Sequence, residues 1–292
     1  MLDSTGTLQP TPIPDPLSAS IQVVVEDQST CRFCFLKLES IMQAHAARHT
    51  DLFTLQQQRA ADALIWRSLP PHVHIVPLLA IPTNPDICFV TPWMPGGNIS
   101  KYIEDHPNCD RLLLLAGVAR GITFLHEIDI IHGDVKDTNV LVNSGGIACL
   151  TDLLTARRAN APIPLRFQQV WGTMRWNAPE LLVPELYGRN AANNCPSKES
   201  DVYAFGLLAW QIFSGIVPFS NIRSDANAVL RIVQGDRPSR TQQCNEAGLT
   251  NELWDLIERC WVANDHLRPT MSEVARELEG LRAVAPDNKT HG

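Results

Sequence analysis

Residues 1–20 carry Pro10, Pro12, Pro14 and Pro16 at alternate positions and show no apolar periodicity, the pattern of an extended, poorly ordered tail. A β-rich run then begins at Ile21-Gln-Val-Val-Val-Glu26. It resumes after a Gln28-Ser-Thr turn across Cys31 to Glu39, so the two runs predict a hairpin in which Phe33, Phe35 and Lys37 share one face. From Leu52 to Leu69 the period becomes helical. Asp62, Ile65, Trp66 and Leu69 fall at i, i+3, i+4 and i+7, which sets an acid on an apolar stripe. Pro70-Pro71 ends that helix, and His74 to Ile81 and Ile87 to Thr91 read as two short strands around a Pro82 to Asp86 turn.

After Pro95-Gly-Gly the chain turns helical. A helix is predicted over Arg111 to His126. A hairpin follows, with the turn Asn143-Ser-Gly-Gly between Val140-Leu-Val and Ile147-Ala-Cys-Leu150. Ser200 reads as the N-cap of a helix over Asp201 to Phe213, Leu253 to Trp261 has 3–4 spacing, and Thr270-Met-Ser-Glu273 is a capping box opening the last helix. The pattern predicts a two-lobed α+β arrangement: a small strand-rich lobe over residues 21–94, a larger helical lobe over residues 95–284 and a tail over residues 285–292.

Composition narrows the function classes. The 292 residues are 45% hydrophobic and 19% charged, enough to build a sizeable core. With 24 basic against 31 acidic side chains the net charge is −7, which gives no footprint for nucleic acid. Residues 1–30 hold Asp3, Asp15, Glu26 and Asp27 and no Lys or Arg, so much of the acidity is in the tail. No stretch is apolar for long enough to predict a membrane span. The eight cysteines are scattered and no secretory signal opens the chain, which points to a reduced, intracellular protein with ordinary thiols, the Cys31-x-x-Cys34 pair included.

Chemistry concentrates in Ile130-Ile-His-Gly-Asp-Val-Lys-Asp-Thr-Asn-Val-Leu-Val142. Asp134, Lys136 and Asn139 lie within six residues, and Asp152 follows ten residues after Val142. A carboxylate that accepts a hydroxyl proton, an ammonium that neutralises a group in transfer and oxygens that hold a hard cation together suit phosphoryl transfer.

These residues resemble the catalytic loop of the eukaryotic protein kinases, in the tyrosine-kinase-like branch, with Gly133 where most members have Arg. Gly172-Thr-Met-Arg-Trp-Asn-Ala-Pro-Glu180, Asp201-Val-Tyr-Ala-Phe-Gly and Arg268-Pro resemble further family motifs in the family's order. The resemblance implies ATP and Mg²⁺ as cofactors and a protein Ser/Thr hydroxyl as acceptor. It implies that Asp134 is the base, that Lys136 meets the transferring phosphate and that Asn139 and Asp152 bind Mg²⁺. For ATP it implies Lys37 on the phosphates with Asp62 as its partner, Thr91, Trp93 and Met94 at the hinge beside adenine, and Leu141 beneath the purine. It implies structural roles for His132, Glu180, Asp201 and Arg268, and a column of Leu78, Trp66, Leu153 and His132.

The departures from the family pattern are specific. No G-x-G-x-x-G precedes Lys37, since Gly6 is the only glycine among the first 95 residues. Phe35 stands where the family has a small residue over adenine, and the Asp-Phe-Gly motif reads Asp152-Leu153-Leu154. Between Asp152 and Glu180 the only hydroxyl side chains are Thr155 and Thr173, and Gly133 offers no arginine to receive a loop phosphate. Two readings follow: a protein kinase with weakened ATP binding, or a pseudokinase that serves as a binding or scaffold module.

Overall fold

The computed structural model describes residues 22–26, 32–37, 63–81, 88–160, 174–190 and 194–284. The chain divides into two compact units, one of Met1–Ala61 with Leu78–Trp93 and the other of Asp62–Pro77 with Met94–Gly292. The tails, most of the run before residue 63, the turn over residues 82–86, and Gly172 with Thr173 lie outside the described residues.

In the first unit β1 (Gln22–Glu26), β2 (Arg32–Lys37) and β3 (Cys88–Pro92) form an antiparallel sheet in that order. The expected hairpin is present. In its register Val23 stands opposite Phe35 and Val25 opposite Phe33, and runs rich in β-branched and aromatic residues favour strands. On its other edge β2 pairs Cys34 with Thr91 and Lys37 with Cys88.

The run from His74 to Ile81 is not the continuous strand the pattern predicts. It makes two isolated bridges, Ile75 with Leu150 and Ala80 with Val90. Pro77 lies between them, and a residue without an N–H cannot continue a ladder.

In the second unit residues 63–67 are helical, the described end of the helix expected up to Leu69. Trp66 is buried there and donates its Nε1–H to Val76 O at 2.7 Å. The segment after it is held by His74, whose carbonyl accepts from Leu150 N, while Val76 N donates to Leu150 O. Burial holds the His74 imidazole below its usual pKa, so the neutral ring donates through Nδ1 to Ala148 O at 2.9 Å.

Eight helices organise the rest of the described residues, the first six being α1 (Ile99–Asp105), α2 (Arg111–Glu127), α3 (Pro179–Leu182), α4 (Lys198–Ser214), α5 (Asp225–Val233) and α6 (Gln242–Glu246). They are followed by α7 (Asn251–Cys260) and α8 (Met271–Val284). Helix α4 is the core element, buried from Ser200 through Ser214, which its apolar residues on every face require. At Gly206 an added Cβ would stand 2.9 Å from Cys260 Cβ, so glycine there allows α7 to lie against α4.

Helix α7 buries Leu253, Leu256, Ile257 and Cys260, the stripe its spacing predicts. The Thr270–Glu273 capping box opens α8 as expected, with Thr270 N donating to Glu273 Oε2 at 2.8 Å. The cap of α4 is a correction. It is Ser197 rather than Ser200, because Ser197 and Ser200 cap each other reciprocally and the helix gains one turn at its start.

Cys149, Cys244 and Cys260 are buried free thiols, while Cys109 and Cys195 are half-buried. Burial pushes Cys149 up to about 11 and Cys260 up to about 12, so both behave as inert apolar groups. No helix among the described residues is long and apolar enough to cross a membrane.

Candidate active site

The loop from His132 to Asn139 runs between two short strands. Before it, β4 (Ile130–Ile131) pairs with β7 (Arg157–Arg158); after it, β5 (Val140–Val142) forms the expected hairpin with β6 (Ala148–Leu150). Asn143 Oδ1 closes that hairpin by accepting from Gly145 N and Ile147 N.

Asp201 fixes the start of the loop. Its carboxylate is almost fully buried and accepts from His132 N at 2.9 Å, Gly133 N at 2.8 Å and His126 Nε2 at 2.9 Å. Three donors compensate the desolvation of this acid and make α4 the foundation of the loop. His132 is then oriented at both ring nitrogens. Nε2 donates to Thr151 O at 3.1 Å and Nδ1 accepts from Asp134 N at 3.3 Å, an assignment that follows because a carbonyl only accepts and an amide N–H only donates. Thr155 Oγ1 adds a bond to His132 O at 3.0 Å.

Asp134, Lys136 and Asn139 come together as expected. Asp134 Oδ2 lies 2.7 Å from Lys136 Nζ and 2.9 Å from Asn139 Nδ2. Asn139 Nδ2 also donates to Asp134 O at 2.9 Å. Both amide hydrogens of Asn139 are therefore committed, which leaves its Oδ1 as the atom for an electrophile. Asp134 Oδ1 takes no hydrogen bond from the described residues, so a lone pair there can accept a proton. Thr151 N donates to Asn139 O at 3.0 Å, which ties the residue before Asp152 to Asn139. Asp152 is in the left-handed region with φ 56°, a conformation Asp tolerates better than most residues, and Leu153 and Leu154 turn inward after it, both buried.

Gly133, where the family has arginine, has φ +78°, and a Cβ there would stand 3.2 Å from both Pro196 Cγ and Thr155 O. The position is filled by its neighbours as well as conformationally demanding. Gly133→Ala should cost about 1–2 kcal/mol of stability in chemical denaturation, the scale of a non-glycine residue in that region. An unchanged midpoint and slope would contradict the demand for glycine.

Glu180 and Arg268 form a buried, bidentate pair with bonds of 2.6 and 2.8 Å. Arg268 also donates to Glu199 O, Val262 O and Ala263 O, so all five of its N–H groups are used. Its guanidinium and that of Arg237 each lie 5.0 Å from the ring centre of Tyr203, whose phenol burial pushes up to about 12.

Of the residues expected at ATP, Thr91, Met94 and Leu141 are buried and Trp93 is half-buried. Lys37 lies on β2, and Asp62 is outside the described residues. Trp66, Leu78, His132 and Leu153 are each buried. His126, Thr151 and Thr155 support the loop although no motif marks them. His126 closes the expected helix and was legible as a polar side chain at its end; Thr151 acts through its backbone carbonyl, which leaves no residue signature, and Thr155 through a hydroxyl that reaches a backbone carbonyl far away in sequence.

Comparison with known proteins agrees with the geometry. A family model described as protein tyrosine and serine/threonine kinase matches residues 42–278. Serine/threonine-protein kinase STY46 of Arabidopsis thaliana is 28% identical over 232 residues, covering 78% of this chain and 37% of that protein. Serine/threonine/tyrosine-protein kinase HT1 of the same plant is 29% identical over 238 residues, covering 77% of this chain and 54% of that protein. Putative serine/threonine-protein kinase/receptor R831 of Acanthamoeba polyphaga mimivirus is 32% identical over 215 residues, covering 71% of this chain and 12% of that protein. The chain thus matches only about half of these relatives' lengths or less.

Proposed function

The chain belongs to the protein tyrosine and serine/threonine kinase family, and we propose that it transfers the γ-phosphoryl group of Mg-ATP to serine or threonine hydroxyls of proteins. The observation that carries this reading is the assembled cluster of Asp134, Lys136 and Asn139, on a loop fixed by the buried Asp201 carboxylate. Asp134 Oδ1 accepts the hydroxyl proton of the acceptor. Lys136 orients the Asp134 carboxylate through Oδ2, and its ammonium charge stabilises the oxygens of the group in transfer.

The donor set fits a magnesium ion. Asn139 Oδ1 and the Asp152 carboxylate are hard oxygens, and the amide's own hydrogens are already spent on Asp134. When bound, Mg-ATP supplies the phosphoryl group with part of its charge neutralised. Lys37, with Asp62 as its partner, binds the phosphates, and Thr91, Trp93, Met94 and Leu141 contact adenine; this part of the proposal rests on the family resemblance. The acceptor assignment is supported by Lys136 and by the serine/threonine kinase names of the relatives.

The absent glycine loop and Phe35 imply a nucleotide affinity weaker than low micromolar. Millimolar Mg-ATP should nonetheless raise the unfolding midpoint by about 5 °C, the scale for a ligand near 100 times its Kd, and chelation of the metal should abolish the shift. No shift at millimolar nucleotide would support the second reading, a pseudokinase scaffold, which the same departures from the family pattern favour.

A further inference from the structure

The turn between the described start at Met174 and helix α3 contains two buried donors that the proposed chemistry does not use. Trp176 Nε1 and Asn177 Nδ2 are both buried, and neither has a hydrogen-bond partner among the described residues. Buried donors are rarely left unpaired, because each then loses its hydration without replacement. Both residues line the same small cavity, about 10 Å³ in volume, whose other walls include Gly133 and Asp134 of the loop and Ser200 and Asp201 of α4.

Those properties specify the occupant. A cavity of about 10–15 Å³ has room for one water molecule, and such a water needs two to four polar partners. An indole N–H can only donate, so the occupant must offer an acceptor oxygen to Trp176. The amide of Asn177 can donate or accept after a flip, and water satisfies it either way. The two nitrogens give such a water two partners, and Ser200 and Asp201 line the same wall. Because both donor atoms are buried away from bulk solvent, a larger ligand cannot reach them without displacing the wall.

We propose that this cavity is a binding site for a single structural water, which accepts from Trp176 Nε1, bonds the Asn177 amide and fills the space between the Trp176–Asn177 turn, the catalytic loop and α4. The site joins the three elements that meet around Asp134. It stands apart from the phosphotransfer reading, since it needs neither nucleotide nor turnover to be tested.

Thermal unfolding of the full chain gives a test whose sign decides. Asn177→Leu replaces the amide by methyl groups of the same branching, and benzothienylalanine in place of Trp176 puts sulfur where the indole N–H stands at nearly the same size, so each change removes a donor without deleting bulk. If the donors are bonded to water, each change removes a real bond and lowers the midpoint by roughly 2–4 °C. If the donors are unpaired, each change removes an uncompensated polar group and the midpoint rises, which overturns the proposal. A crystal structure of the wild-type chain at about 2 Å or better decides independently of how the variants fold. One density peak within hydrogen-bond distance of both nitrogens is expected, and its absence would overturn the site.

Discussion

Asp134→Asn should lower phosphoryl transfer from Mg-ATP to a protein acceptor by about 10²–10⁴-fold, the usual contribution of a positioned general base. The change keeps the size of the side chain and leaves a carbonyl oxygen able to accept from Lys136 and Asn139, so the loop keeps its anchors on Asp201. It removes the basicity of the atom that takes the hydroxyl proton. The unfolding midpoint should therefore move by less than about 2 °C, the shift that a few tenths of a kcal/mol produces. Equal transfer rates in the variant and the wild type would show that Asp134 is not the base; a large fall in midpoint would show that its role is structural.

The second large effect concerns stability. Arg268→Met removes the guanidinium that meets Glu180 at 2.6 and 2.8 Å and strands a carboxylate that is 1% exposed. Breaking a buried ion pair from one side costs about 3–5 kcal/mol, because the remaining charge keeps its desolvation and loses its compensation. For a chain of this size that corresponds to a fall in midpoint of roughly 6–20 °C. Glu180→Leu combined with Arg268→Met should be more stable than Arg268→Met alone, since the stranded charge is then gone. The carbonyls of Glu199, Val262 and Ala263 still lose their donor, so recovery should be partial. A double variant less stable than the single one would contradict this account of the pair.

Features coded by neighbouring residues were legible in the sequence. The Asn143-Ser-Gly-Gly turn, the Thr270–Glu273 capping box and the crowding of Asp134, Lys136 and Asn139 each need only a few residues of chain, and each is formed. What the sequence hid acts across distance. Asp201 clamps His132 N and Gly133 N from 68 or more positions away, and the bonds go to backbone groups that carry no residue identity. The α4 cap was misplaced because Ser197 and Ser200 are chemically equivalent caps, and only the reciprocal bond between them distinguishes N-cap from third position. Gly133 read as the loss of an arginine; its positive φ and the approach of Pro196 and Thr155 give glycine a structural reason of its own.

The central claim is that the Asp134 cluster performs phosphoryl transfer to Ser or Thr, and incubating the wild-type full chain with γ-labelled Mg-ATP and a protein acceptor rich in Ser, Thr and Tyr tests it most directly. Acid hydrolysis of the labelled acceptor should yield phosphoserine or phosphothreonine, with the label lost on chelation of the metal and reduced by the factor given above in Asp134→Asn. No transfer by a folded wild-type chain at millimolar Mg-ATP would contradict the claim, and label confined to tyrosine would contradict the acceptor class.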